Sequence, residues 1–255
     1  MQAWQAVAAV VLAWILYGPA ADGWFRFVDP RVVRHVRGAA APAPAARPTP
    51  AAPAAPAPAP RLIALTFDDG PDPRYTPDVL RILREHGVAA AFFLVGERAR
   101  RHPELVRAMV AAGHLVGNHT RAHRHAYLLT PAAAWREVEE GARLIAAAGG
   151  GEPAWFRPPW GSFNAAEWLA VRRLGQRPVM WSVIAGDWRA GTPPEVIVRR
   201  VLDRLATGAV IVLHDAGGAP GAPAQTVAAL PAVIRGARQR GFEFERLDRL
   251  VDGWR

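Results

Sequence analysis

Beyond residue 60 the chain alternates between short apolar runs and longer segments whose apolar positions recur three and four residues apart. The runs 62–67, 90–95, 114–118, 154–157, 178–183, 208–213 and 242–245 predict seven strands. The run 209–213, Ala-Val-Ile-Val-Leu, has no polar break, as expected of a strand covered on both faces of a parallel sheet. Between the runs, Thr76 can cap a helix with Pro77 at its first position, Val79, Ile82 and Leu83 on one face, and Gly87 as its stop. Thr192-Pro193-Pro194-Glu195 reads as a capping box ahead of Val196, Val198 and Val201. Pro103 and Pro131 mark two more first turns. Strand and helix thus repeat about every 28 residues, which predicts an α/β fold, a distorted parallel (β/α) barrel of about seven strands. An open doubly wound sheet would give much the same alternation.

The first 60 residues follow other rules. Residues 3–21 are apolar apart from Gln5, and a helix of roughly 19 residues spans a bilayer core of about 30 Å. Segment 1–38 is therefore expected to be an N-terminal membrane helix, with Trp4, Trp14, Tyr17 and Trp24 at its interfaces. A cleaved signal peptide is the competing reading, for which Gly18-Pro19-Ala20 is a poor cleavage site. Arg26, Arg31, Arg34 and Arg37 follow the apolar run, and the positive-inside rule would hold that flank in the cytoplasm, against an outward-facing domain. Residues 39–60 are almost wholly Ala and Pro, a spacer of polyproline type. The catalytic domain is expected over 61–255.

Composition narrows the chemistry. The chain has no cysteine, so a metal would need His and carboxylate ligands. All 31 basic residues are Arg, which excludes lysine chemistry. Of the net charge of +9, five Arg less two Asp place +3 in the first 60 residues and leave +6 spread over the rest. No basic stripe forms, so no nucleic-acid partner is expected. A mildly cationic surface favours acidic cell-wall polymers or anionic lipid head groups.

In a parallel α/β fold, polar residues that follow the strands converge on one face. Those residues are Asp68 and Asp69, then His119 and His123, then Arg157, then Asp187 and Trp188, then His214 and Asp215. Each alone has an ordinary explanation: a turn, a surface ion pair, a satisfied core histidine. His119 and His123, four apart, would share one side of a helical turn and could reach one ion. With a carboxylate they make a facial ligand set that leaves positions open for water and substrate.

The runs Thr66-Phe67-Asp68-Asp69-Gly70-Pro71, His119-Thr120-Arg121-Ala122-His123, Arg157-Pro158-Pro159-Trp160-Gly161, Asp187-Trp188 and Leu213-His214-Asp215 resemble, in order, the five motifs of the polysaccharide deacetylases, carbohydrate esterase family four. The resemblance implies a divalent ion, Zn²⁺ or else Co²⁺, held by Asp69, His119 and His123. It implies Asp68 as general base, Arg157 as its orienting partner and His214 as general acid. Trp188 and Leu213 would line the pocket for the acetyl methyl, with Trp160 and Asp187 beside the substrate. Many members carry an Asp three residues before the Asp-Trp pair, where this chain has Ile184; that puts the tuning of His214 in question, and Asp187 is a candidate to compensate. The expected substrate is an acetylated glycan of peptidoglycan or chitin type carrying N-acetylglucosamine. An O-acetyl esterase on xylan, a deacetylase of a lipid-linked sugar and a non-catalytic sugar-binding module are the alternatives. A monomer, anchored or secreted with its catalytic domain outside the cytoplasm, completes the expectation.

Overall fold

A computed structural model of the chain describes residues 12, 14, 17–24, 32–33 and 60–252. The predicted spacer, apart from Pro60, and most of the apolar run 3–21 lie outside the described residues.

Eight strands are described: β1 (Arg61–Asp68), β2 (Ala91–Leu94), β3 (Leu115–Asn118), β4 (Trp155–Phe156), β5 (Arg177–Pro178), β6 (Val183–Ile184), β7 (Val210–His214) and β8 (Phe242–Phe244). Seven stand side by side in the order β5-β4-β3-β2-β1-β7-β6, and β8 pairs with the start of β1. Every pairing among them is parallel. The result is a curled half-barrel of α/β type. The run 178–183, expected as one strand, divides between β5 and β6. Its middle bridges the two edges of the curl: Val179 N–H bonds Phe156 O, Met180 N–H bonds Val33 O and Ser182 N–H bonds Val210 O.

Side-chain alternation sorts the strands into an outer and an inner face. Ile63, Leu65 and Phe67 of β1, with Ile211 and Leu213 of β7, meet the covering helices through residues such as Leu83, Leu230 and Ile234. Ala64 and Val210 point the other way and join Ala91, Phe93, Trp155, Leu247 and Leu250 inside the curl. Above that plug, the inward positions become polar as each strand ends, with Thr66 and Asp68 on β1 and His214 on β7. Burial of the whole apolar run 63–67 accounts for its lack of alternating polarity.

Helices begin at Pro103 and Pro131, as their fixed φ favours. The expected caps at Thr76 and Thr192 do not form. The Thr76 hydroxyl donates to Asp215 and accepts from the Asp72 N–H, so it ties helix Thr76–Glu85 to the end of β7. Helix Pro194–Leu202 starts without a side-chain cap, because the Thr192 hydroxyl donates to Gly186 O instead.

Among the described residues no helix is long and apolar enough to cross a membrane. Several of those in the N-terminal segment lie against the domain. Tyr17 packs with Leu129, Ala134 and Ala166. Asp22, in helix Pro19–Gly23, is 6% exposed and accepts from the Tyr127 hydroxyl and the Phe163 N–H, each at 2.8 Å. Val33 pairs with Val179.

Candidate active site and metal centre

Asp69 follows β1, and His119 follows β3. The Nε2 atoms of His123 and His119 lie 3.0 and 3.4 Å from Asp69 Oδ1, and one ligand atom of each residue falls within 4.8 Å of the others. His119 Nδ1 is 2.6 Å from the carbonyl of Arg157; donating its proton there leaves the Nε2 lone pair facing Asp69. Asp69 Oδ1 is buried and has no hydrogen-bond partner. Two nitrogens and one unsatisfied carboxylate oxygen, converging in a buried corner, fit a divalent cation of zinc type.

The backbone that presents these ligands is not the helical turn expected over 119–123. Thr120 and His123 have φ of 67° and 56°, in the left-handed region, and so do Asp69 and Trp160 at 73° and 53°. These four are the non-glycine residues with positive φ among the described residues, and all stand around one corner. Hydrogen bonds hold the loop there: Asn118 Oδ1 accepts from Thr120 N–H, Thr120 Oγ1 from His123 N–H, and Glu137 from Ala122 N–H. Gly141 gives it room, since a Cβ would stand 2.6 Å from both Asn118 Oδ1 and the Thr120 carbonyl carbon.

Asp68 ends β1, next to His214 on β7 in the parallel register. Arg157, fully buried, donates to Asp68 Oδ1 and to Thr66 Oγ1 at 2.7 Å, and to the carbonyls of Val179 and Met180. Its guanidinium lies 4.1 Å over the Phe93 ring, so its position is fixed on every side.

His214 Nδ1 is 3.0 Å from Asp187 Oδ1. Asp187 Oδ2 accepts from the His214 N–H at 2.7 Å and the Thr226 hydroxyl at 2.8 Å. Burial by itself would lower the His214 pKa; the Asp187 charge and hydrogen bond, with Asp69 and Asp68 adding to them, raise it to about 9. Asp187 thus favours the protonated form of this imidazole. On the far side of this strand end, burial lifts the neighbouring Asp215 to about 7 despite the Thr76 hydrogen bond.

These groups face a cavity of 440 Å³, whose apolar wall is Trp160, Trp181, Ile184, Trp188 and Val212. Trp160 is 54% exposed at the rim, its ring 4.2 Å from that of His123. Two expected wall residues lie elsewhere. Leu213 faces the outer core, because Val212 and His214 on either side of it face the cavity. Asp187 is fully buried behind His214, as its partner rather than a substrate contact. Asp187, not residue 184, is the carboxylate that contacts His214.

A family model for polysaccharide deacetylase matches residues 55–179. A peptidoglycan-N-acetylglucosamine deacetylase of Bacillus cereus is 36% identical over 193 residues, covering 75% of this chain and 88% of that protein. The chain belongs to the polysaccharide deacetylase family. A chitooligosaccharide deacetylase of Bradyrhizobium sp. is 39% identical over 201 residues, 74% of this chain and 90% of that one. The crystal structure of a family 4 carbohydrate esterase from Streptomyces lividans, in complex with acetate, superposes with a TM-score of 0.65 at 38% identity, over 71% of this chain and 90% of that one. As a polysaccharide deacetylase the chain is a metal-dependent hydrolase of the amide C–N bond in acetylated amino sugars.

Sequence reasoning did not reach several residues of this site. Thr226 acts through Asp187, far away in sequence, and no local motif betrays it; Thr66 opens the first motif, but its bond to Arg157 is not written there. Gly217 carried a readable signal, a Gly-Gly pair just after the His214-Asp215 strand end. A Cβ there would overlap Asp69 Oδ2, far inside van der Waals contact.

Proposed function

We propose that this polysaccharide deacetylase removes acetyl groups from N-acetylglucosamine units of a cell-wall or chitin-like polymer outside the cytoplasm. Asp69, His119 and His123 would hold Zn²⁺, or Co²⁺ in its place. When bound, the ion supplies Lewis-acid activation of the acetamide carbonyl and of water.

The chain's own residues handle the protons. Asp68, held by Arg157, takes the proton of the water whose oxygen bonds to the carbonyl carbon. Gly161 and Ser162 direct their N–H groups to Pro158 and Pro159, which leaves the Trp160 amide as the candidate donor to the developing oxyanion. His214 delivers its proton to the amide nitrogen as the C–N bond breaks, because an amine anion is a very poor leaving group. Acetate and a free amine result. Ile184, Trp181, Trp188 and Val212 accommodate the methyl group, and the exposed Trp160 ring offers a sugar its face. Every group comes from one chain, so a monomer suffices.

The observation that carries this reading is the pairing of Asp68 with His214 on adjacent strand ends, base and acid across one cavity beside the ligand trio. Acetate release by the full chain should occur with N-acetylglucosamine oligomers, cease on chelation and return with added Zn²⁺ or Co²⁺. Turnover of acetylated xylan alone, or turnover indifferent to chelator, would overturn it.

A further inference from the structure

The family match begins at residue 55, yet a residue upstream of it holds two loops of the active-site rim. Gly18 N–H bonds Trp14 O and Asp22 N–H bonds Gly18 O, at 2.9 and 2.8 Å, so residues 14, 18 and 22 stand on one face of a helical segment. That face closes on Tyr127. Trp14 Nε1 donates to Tyr127 O at 3.3 Å, with the two rings edge to face, and Gly18 leaves the tyrosine ring its space, since a Cβ there would stand 3.3 Å from Tyr127 Cδ1. Asp22 Oδ2 accepts from the Tyr127 hydroxyl while Oδ1 accepts from the Phe163 N–H. Tyr127 belongs to the turn Ala126–Leu128, and Phe163 stands three residues after Trp160. Turn and loop meet in the rings of His125 and Trp160, stacked with centroids 5.2 Å and planes 25° apart, and the His125 ring is 4.9 Å from that of Tyr127. Asn164 ties the same two loops within the domain, its Nδ2 donating to Ala126 O at 2.7 Å.

We infer, resting on the deacetylase reading above, that Asp22 is a positioning residue for substrate binding: from outside the matched domain it fixes the Trp160 ring in the attitude on which a sugar stacks. An exposed indole on a loop has several orientations, and each one unsuited to stacking lowers the fraction of enzyme ready to bind. The His125 ring backs that of Trp160, and Tyr127, beside His125, is anchored through its hydroxyl to a buried carboxylate. Because the same carboxylate holds the Phe163 N–H, one side chain sets both members of the stack relative to each other. Its loss therefore acts on KM and spares kcat, which depends on Asp68, His214 and the ligand trio.

The test uses the full chain loaded with Zn²⁺ and N-acetylglucosamine oligomers, well below the melting temperature of every variant. Asp22→Ala should raise KM about fivefold, the size of one net hydrogen bond, with kcat within about twofold of the wild type. Partial unfolding would do the reverse, since less active enzyme lowers the apparent kcat at an unchanged KM. Asp22→Asn should restore the wild-type KM, because its amide oxygen can accept from the Phe163 N–H while its NH₂ group donates to the Tyr127 oxygen. In the background of Trp160→Ala, which removes the ring, Asp22→Ala should cause no further rise in KM. A wild-type KM in Asp22→Ala, a loss confined to kcat, a KM that Asp22→Asn leaves high, or a rise that persists undiminished without the Trp160 ring would overturn the inference while leaving the deacetylase reading standing. A wild type that releases no acetate would overturn both. Should Asp22→Ala not fold, Tyr127→Phe, which removes the hydroxyl and keeps the ring stack, takes its place with the same expected rise in KM.

Discussion

Cleaving an acetamide requires one proton to leave water and another to reach nitrogen, and the mechanism proposed above gives those tasks to Asp68 and His214 on adjacent strands. Asp68 accepts from a guanidinium that cannot move, since Arg157 is bonded to Thr66, Val179 and Met180 as well. Asp68→Asn should keep the ion, measured by metal content, yet lower kcat by about 10³-fold, the scale of general-base catalysis. His119→Ala should instead lose the ion. As the proposed acid, His214 would act only when protonated, and because Asp187 raises its pKa against the lowering effect of burial, activity should fall with rising pH above the ordinary 6.5. A bound cation opposes the contributions of Asp69 and Asp68 and brings that limb downward, but the Asp187 part persists. Asp187→Asn removes it and should move the alkaline limb of the kcat/KM profile towards the ordinary histidine value. The convergence of Asp69, His119 and His123 was legible from strand ends and spacing, whereas the roles proposed for Asp68 and His214 came from the resemblance to the family's motifs. Asp187 was legible only as a member of the site: nothing local distinguishes an aspartate touching substrate from one standing behind a histidine. Leu213 was misplaced for a simpler reason, as a one-residue step along a strand reverses the face.

At the scale of elements, the strand ends supply the chemistry while the loops supply the geometry, and only the first is written in hydrophobic pattern. The runs for β1, β2, β3, β7 and β8 could be read directly, being apolar and bounded by breaks. The division of 178–183 could not, because it depends on where Phe156, Val33 and Val210 stand in space. The same holds for the loop 119–123, whose left-handed residues are stabilised by Asn118 and Glu137 rather than by local propensity. The loop after β7 offers a test. Gly217 has φ of 69° and backs directly onto Asp69, so Gly217→Ala should displace that ligand and weaken Zn²⁺ binding by at least tenfold in a chelator competition, with little change in far-ultraviolet circular dichroism. The N-terminal segment offers another. Asp22 ties helix Pro19–Gly23 to Tyr127 and Phe163, and Asp22→Ala leaves those two donors without their shared acceptor. A loss of about 1–3 kcal/mol is expected for such buried bonds, seen as a fall of several degrees in Tm. An unchanged Tm would mean that the segment does not contribute to the stability of the domain.

The whole molecule carries net charge +9, so its general electrostatics favour the folded state more as pH rises from acid and carboxylates ionise. One buried group acts in the opposite direction. Glu167, in helix Ala165–Arg173, is fully buried, and neither carboxylate oxygen has a hydrogen-bond partner. Burial raises its pKa to about 8; the nearby Asn164 N–H pulls it down somewhat, while the charges of Glu137 and Asp22 push it up. In the unfolded chain the same carboxyl ionises near 4.5. Between those values the folded state binds a proton that the unfolded state has released, so stability falls with rising pH across the window from about 4.5 to 8 and then levels off. A tenfold difference in proton affinity between the two states is worth about 1.4 kcal/mol, so the accumulated loss across that window is on the order of a few kcal/mol. Glu167→Gln keeps the shape and cannot ionise. Its Tm should match the wild type near pH 4.5 and exceed it by several degrees at pH 8, whereas curves that stay parallel across this range would show that Glu167 is already ionised inside the fold. The site is a conflict between levels: Glu three residues after Asn164 makes an ordinary helix start in sequence, whereas the fold buries it near the charges of Glu137 and Asp22, a proton-dependent position.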